Sequence, residues 1–238
     1  MTTTRPSRAS VFDSQKNSLL EKLAAAIDKS PKGFIDLPIL DLVKQFNTSE
    51  NYVTTSSCSG RICLFESVNR SKIRDKGGRW LLVNHRLTDF PEVRDIVFDP
   101  NADFKSEVFL KHEPMILHVQ CRDLEAAKLL LQLSLAAGFR ESGMVLGKSK
   151  VMVHIRTTSN SLSTPVASQS GALIDETHLR FLTKHVNDLF RENSKKISKL
   201  QHNLTQGKGE HGILAPVKAN STTVAPPKQW VAAPDTVQ

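Results

Sequence analysis

Two adjacent segments in the middle of the chain restrict the fold more than any others. The strongly apolar run EPMILHVQC, residues 113 to 121, has the length of a buried strand, and RDLEAAKLLLQLSLAAGF follows it with the spacing of a helix. Gly138, near the end of that pattern, is a typical helix C-cap residue. The two segments together predict a sheet with at least one helix packed on it.

The segments on either side of this pair do not alternate strictly between strand and helix. Further strands are predicted at 51–55, 62–68, 80–85, 142–147 and 150–158, the last two joined by a tight turn near Gly147. Further helices are predicted at 12–27, 35–47, 87–98 and 175–200. Because a doubly wound parallel sheet requires strict alternation, this order predicts an α+β fold with a mixed, largely antiparallel sheet and packed helices.

The ends of the chain differ in composition from its middle. We expect residues 1–10 to be a disordered N-terminus and residues 205–238, rich in Pro, Ala, Thr and Lys, to be a disordered tail. The polar stretch SNSLSTPVASQSG, residues 159–171, is predicted to be a mobile loop. Residues 11–204 are then long enough to form a single domain with its own core.

Composition indicates the cellular compartment of the protein and the class of its binding partner. The three cysteines form no CxxC pair and are odd in number, which argues against a disulfide framework and places the protein in the cytoplasm. No apolar run approaches the roughly 20 residues that a membrane helix needs, so no membrane partner is expected. The net charge of +8 favours a nucleic acid as partner, because Lys and Arg displace counterions from phosphates.

The stretch SSCSGR, residues 56 to 61, concentrates hydroxyls, a thiol and a guanidinium. Cys58 and Arg61 are too close in sequence for a cysteine phosphatase loop, and the cysteines lack the spacing of a zinc site, so no metal is expected. A hydrolase using Ser57 or Ser59 lacks the GxSxG motif. Two interpretations remain equally open: a turn on which Ser57, Ser59 and Arg61 bind a carboxylate or phosphate, and a plain turn with a solvated arginine.

Basic and aromatic residues elsewhere are candidates for RNA contacts, with solvated surface as the alternative. Trp80 follows a basic turn and could stack on a base or a methyl donor, although indoles are more often packed. His85, His118 and Arg156 lie in or at the ends of apolar strands and could converge. The candidate phosphate-binding residues lie in the basic turn and on the last predicted helix: Arg70, Lys72, Arg74, Lys76, Arg79, Arg191, Lys195, Lys196 and Lys199.

The order of these segments resembles a known family. TTSSCSGRI, GGRWLLVNH, EPMILHVQCRDLEAAKLLLQLSLAAGFRESG, VMVHIR and HVNDLFREN occur in the order found in the tRNA wybutosine-synthesizing protein 3 family. The resemblance runs from about Phe12 to Leu200. It implies an S-adenosylmethionine-dependent methyltransferase that is not built on the Rossmann-type methyltransferase fold.

The resemblance also implies a substrate and roles for residues. The expected substrate is phenylalanine tRNA, not DNA, and the expected reaction is methylation of N4 on the tricyclic, aminocarboxypropyl-bearing guanosine derivative at position 37. His85 or His118 would act as the base or as an orienting group, while Ser57, Ser59, Arg61 and Arg156 would anchor substrate or cofactor. Trp80 and Cys121 would line the methyl-donor pocket. The rival interpretation is a non-catalytic RNA-binding module with an anion-binding SSCSGR loop.

Overall fold

A computed structural model describes residues 8–24, 35–67, 77–206 and 213–214. Within these residues the helices are α1 (Arg8–Ala24), α2 (Leu40–Thr48), α3 (Phe90–Val97), α4 (Leu124–Ala136) and α5 (Glu176–Gln206), and a 3₁₀ turn at Leu37–Ile39 precedes α2. The strands are β1 (Tyr52–Ser67), β2 (Gly78–Asn84), β3 (Val108–Cys121), β4 (Gly143–Leu146), β5 (Val151–Arg156), β6 (Leu162–Ser168) and β7 (Gly171–Ala172).

The predicted fold class is confirmed. The strand registers of β1 with β2, β3 with β5 and β6, β4 with β5, and β6 with β7 are all antiparallel, and helices accompany the sheet. None of these pairings is of the parallel type on which a Rossmann-type methyltransferase depends. Contacts divide the chain into two compact units.

The first unit comprises the described residues within 1–59, 116–157 and 196–238. In it β1, β3, β5 and β4 lie side by side in that order, with β4 at the edge. Tyr52 of β1 is buried, packs edge-on against Phe46 of α2, and donates its hydroxyl to the carbonyl of Ala126 in α4. The Asp123 side chain caps α4 by accepting the Ala126 N–H at 2.8 Å.

The second unit comprises the described residues within 60–115 and 158–195. Its core contains residues of β1, β3, α3, β6 and α5, among them Ile62, Leu110, Val93, Val166 and Val186. Glu92 in the first turn of α3 accepts the backbone N–H of Asp89, which fixes the start of that helix.

Two sequence-based predictions of local structure are wrong. SSCSG was expected to be a turn between two strands, but residues 52–67 form one continuous strand. Gly60 lies within this strand with a φ of +99°, a backbone angle that a glycine adopts without strain. The stretch 159–171 was expected to be a loop, but Leu162–Ser168 pairs with β3, and Pro165 in the middle of this strand lies beside a register irregularity at Val108 and Phe109.

Other predicted elements are confirmed with shifted ends. The first helix begins at Arg8, the central strand begins at Val108, and Gly138 ends α4 with a φ of +101°. The Gly147 turn closes through the Gly147 N–H and the Lys150 carbonyl at 2.8 Å. The tail from 207 lies outside the described residues except for 213–214, and the single-domain boundaries of 11–204 remain a prediction.

Candidate functional site

Arg61 is held from two sides in the second unit. Its Nε and Nη2 both lie 2.7 Å from Oε2 of Glu113 on β3. Its guanidinium carbon lies 4.3 Å from the centre of the Trp80 ring on β2. The guanidinium is therefore fixed, and Nη1 has no hydrogen-bond acceptor among the described residues. The Trp80 ring, 45% exposed, is stacked under this cation.

His85 follows β2 and is oriented by the backbone of the same unit. Its Nδ1 lies 2.9 Å from the carbonyl oxygen of Gly60. Because a carbonyl only accepts hydrogen bonds, Nδ1 carries the proton in the neutral ring, and Nε2 is the basic nitrogen. The Gly60 carbonyl thus contributes to the placement of His85.

Asn193 of α5 fills the space beside Gly60. Its Oδ1 accepts the Met115 backbone N–H at 2.9 Å, and it is fully buried. A Cβ on Gly60 would lie 2.9 Å from Asn193 Nδ2 and 2.9 Å from the Glu113 carbonyl oxygen. Glycine at position 60 is therefore required by close packing as well as by its backbone angle.

Ser57, Cys58 and Ser59 belong to the first unit. The backbone N–H of Ser59 donates to Oδ2 of Asp36 at 2.7 Å, and both residues are buried. Ser57 and Cys58 are half-buried. The predicted anion-binding turn is therefore a strand, and the Ser59 amide, which a turn would offer to an anion, is already donated to a carboxylate.

One surface of the first unit brings three of the predicted site residues together. Arg122 N donates to the Asn51 carbonyl and Thr55 Oγ1 donates to the His118 carbonyl, which together indicate an antiparallel register that places Thr55 opposite His118 and Ser57 opposite Ile116. His118 lies opposite His154, and Ile116 opposite Arg156. We call this surface the open face; its members are Thr55, Ser57, Ile116, His118, His154 and Arg156.

The two histidines of the open face are stacked. Their ring centroids are 4.2 Å apart with a tilt of 30°. Burial lowers the pKa of His118, and the neighbouring His154 and Arg156 lower it further. His118 is therefore neutral near pH 7, which is the state required of a proton acceptor.

The remainder of this sheet surface is covered by α1. Gln120 Nε2 donates to Oε1 of Gln15 at 2.6 Å, and the Arg122 guanidinium lies 4.9 Å from the centre of the Phe12 ring. Beyond this contact the surface is accessible: Thr55 and Arg156 are exposed, and Ile116 is 36% exposed.

Cys121 is buried and lines a cavity of about 400 Å³ in the first unit, between the start of α4, Phe12 and the Gly147 turn. Burial raises the pKa of its thiol to about 12, and Asp123 adds to that effect. Because the thiolate is the reactive form of cysteine, Cys121 is expected to be unreactive and to serve in packing. Its predicted place in a methyl-donor pocket remains a prediction.

The predicted RNA-binding residues have different surroundings. Arg70, Lys72, Arg74 and Lys76 lie outside the described residues. Arg79 Nε donates at 2.8 Å to the buried carboxylate of Glu66. On α5, Arg191 pairs with Asp188 and Lys195 with Glu192, while the Lys196 stem passes 3.4 Å from the Gly138 Cβ position and Lys199 is exposed. Their role in binding RNA remains a prediction.

Sequence reasoning missed the partners that orient these groups. Asp36, Glu113 and His154 were not recognised as part of a site. His154 carried the clearest signal, since it alternates with Met152 and Arg156 along a predicted strand. Asp36 and Glu113 are far from their partners in sequence and carried no local signal.

The fold and these polar clusters define an α+β protein without Rossmann topology. A family model described as Methyltransferase TYW3 matches residues 14–206, and the chain belongs to that family. It is 36% identical over 206 residues to the tRNA wybutosine-synthesizing protein 3 homolog of Bos taurus, covering 86% of this chain and 75% of that protein. It is 34% identical over 209 residues to tRNA wybutosine-synthesizing protein 3 of Schizosaccharomyces pombe, covering 81% and 86%.

A solved structure supports the fold. The PH1069 protein of Pyrococcus horikoshii superposes with a TM-score of 0.70 at 28% identity, covering 81% of this chain and 93% of that one. Among the residues described, no helix is both long and apolar enough to span a membrane.

Proposed function

We propose that this chain transfers a methyl group from S-adenosylmethionine to N4 of the aminocarboxypropyl-bearing tricyclic base at position 37 of phenylalanine tRNA, in the cytoplasm. The observation that carries the proposal is the family match over residues 14–206. That range includes SSCSGR, both candidate histidines and Arg156. The wybutosine-synthesizing names of the relatives support tRNA as the substrate class.

The residues present suit both carboxylate-bearing reactants. S-adenosylmethionine supplies the methyl group on a sulfonium, and it carries a carboxylate, as does the aminocarboxypropyl arm of the base. Arg61 retains Nη1 for such a group while Glu113 and Trp80 fix its direction. In the first unit, Arg156 is exposed and offers a second cation to an anionic group of the substrate.

His118 is the better candidate for the base of the two histidines. Methylation of N4 requires loss of a proton, and an acceptor must be neutral at the working pH. The lowered pKa of His118 provides this state. His85 serves as a positioning or second acceptor group, because its Nδ1 is committed to the Gly60 carbonyl and only Nε2 can accept.

The test is a reconstituted reaction. The protein is incubated with S-adenosylmethionine and tRNA from cells that lack the corresponding gene, and nucleosides are analysed by mass spectrometry. The expected result is a gain of one methyl group on the hypermodified nucleoside. No gain with correctly pre-modified tRNA would overturn the proposal, and tight tRNA binding without methyl transfer would favour the non-catalytic RNA-binding module.

A further inference from the structure

On the open face, the stacked imidazoles of His118 and His154 lie next to Gly143, a position of the sheet that has no side chain. His154 pairs in register with His118 on one side and with Gly143 on the other. Since the two rings stack across the strands, the outer face of His154 is turned toward β4. Apart from its two chain neighbours, no heavy atom of the described residues lies within 4 Å of the position that a Cβ on Gly143 would take. The outer face of His154 therefore borders open space at the Gly143 position, where a Cβ would meet no close neighbour.

The borders of this space are apolar on one side and cationic on the other. Val145, 52% exposed, pairs with Met152, and this pair lies two residues along the strands from the Gly143–His154 pair. Arg156 lies two residues beyond His154 on the same face, and its Nε is held by the Glu141 carbonyl at 3.3 Å. Its terminal nitrogens have no acceptor among the described residues. We call this space the Gly143 bay.

We propose that the Gly143 bay holds a nucleobase of the tRNA substrate, stacked on His154, with Arg156 in contact with an adjacent phosphate. This inference rests on the proposed function for its substrate. Single-stranded RNA is recognised by splayed bases that stack on aromatic side chains, including histidine, and by cations that follow the phosphates. The net charge of +8 is complementary to such a partner.

The openness of the bay favours RNA over a small ligand. Small molecules bury most of their surface in concave cavities. The bay lies instead on a sheet surface beside the edge strand β4, and Val145 and Arg156 are exposed around it. RNA-binding sheets present this kind of flat, accessible platform to successive bases.

The experiment compares the affinities of two ligands for matched variants of the full-length chain. Gly143→Leu is expected to weaken tRNA binding by on the order of tenfold, because it fills the space that the base occupies, and Gly143→Ala by less. Affinity for S-adenosylhomocysteine and the thermal unfolding midpoint are expected to stay unchanged. Binding is measured by fluorescence anisotropy with labelled tRNA and by calorimetry with S-adenosylhomocysteine.

A second pair of variants separates stacking from a structural effect. His154→Phe keeps a flat ring and is expected to keep tRNA affinity, whereas His154→Val removes the ring and is expected to weaken binding to the same order as Gly143→Leu. Unchanged tRNA affinity in Gly143→Leu and His154→Val would overturn the inference. Loss of S-adenosylhomocysteine affinity with tRNA affinity retained would also overturn it, by assigning the bay to the methyl donor.

Methyl transfer by the unsubstituted protein is measured in parallel. If that protein binds tRNA and transfers no methyl group, the proposed function fails while the variants still decide the role of the bay. If it does not bind tRNA, both proposals are overturned.

Discussion

The guanidinium carbon of Arg61 lies 4.3 Å from the centre of the Trp80 ring, while Glu113 Oε2 accepts hydrogen bonds from its Nε and Nη2 at 2.7 Å. This arrangement fixes the plane of the cation, which a flexible ammonium could not reproduce. The indole and the carboxylate thus prepare Arg61 for a planar, hydrogen-bonding anion.

Arg61 substitutions test this arrangement directly. Arg61→Ala is expected to lower methyl transfer by on the order of a hundredfold or more, and Arg61→Lys by a similar factor although it keeps the charge, because the directional hydrogen bonds are lost. The free energy of unfolding should fall by only about 1 kcal/mol, since the pair is partly exposed. Activity of Arg61→Ala within a few fold of the unsubstituted protein would refute the anchoring role.

Gly60 and Gly143 allow a matched comparison of how an added Cβ changes the free energy of unfolding. Gly60→Ala is expected to lower the free energy of unfolding by about 1–3 kcal/mol or more, because the residue has a φ of +99° and its Cβ would lie 2.9 Å from Asn193 and Glu113 atoms. Gly143→Ala meets no such contact and should change it by less than about 1 kcal/mol. Denaturant titration checks both; equal effects would contradict the packing account.

The pH dependence of methyl transfer should report His118. Since its pKa is below the ordinary value of 6.5, the neutral form predominates at pH 7, and the rate is expected to rise with pH in the acidic range and be level above 7. His118→Gln should remove that rise and most of the activity. An unchanged acidic limb in His118→Gln, with the limb lost in His85→Gln, would assign the base to His85 instead.

The pH dependence of stability should report His112, which is fully buried beside Phe190 and bonded through Nδ1 to the Asn160 carbonyl. Burial lowers its pKa below 6.5, so between the folded pKa and 6.5 the unfolded chain binds more protons. The free energy of unfolding should therefore be highest above pH 6.5 and fall as the pH drops through the folded pKa. His112→Gln is expected to reduce this slope between about pH 7.5 and 5.5; an unaltered slope would exclude His112 as its source.

The three thiols should differ in reactivity. Cys58 is half-buried, whereas Cys63 and Cys121 are buried and the pKa of Cys121 is raised to about 12. Because the thiolate is the reactive form, iodoacetamide at neutral pH is expected to modify Cys58 first and Cys121 only on unfolding. Peptide mass spectrometry over time gives the order, and early modification of Cys121 would contradict its burial.

Sequence patterns predicted the elements with strong periodicity and missed those whose pairing is not local. EPMILHVQC and the helix after it were recognisable because their apolar spacing is regular. SSCSG has the small and polar residues of a turn, and only the close approach of Asn193 to Gly60 shows why such residues occur within a strand. β6 was missed because Pro165 and its hydroxyl-rich neighbours are typical of loops.

The candidate site was predictable in its components but not in its pairings. His85, His118 and Arg156 were identifiable as polar groups in or at the ends of apolar strands, and Arg61 as the cation of the predicted SSCSGR turn. The stacking of His118 on His154 depends on the register of β3 and β5, which residue spacing within either strand does not determine. The same holds for Glu113, which lies 52 residues from Arg61 along the chain.

Helix α5 contributes buried residues to both units. Its position in the chain therefore determines which unit can complete its core first during synthesis. Leu179, Val186 and Phe190 belong to the second core, and Leu200 and Leu204 are buried in the first unit. A ribosome that has made everything up to residue 195 has completed the second unit but not the first. The first quarter of the chain, residues 1–59, therefore lacks part of its core until the last turns of α5 leave the exit tunnel, and we expect chaperones to bind the nascent chain during that interval.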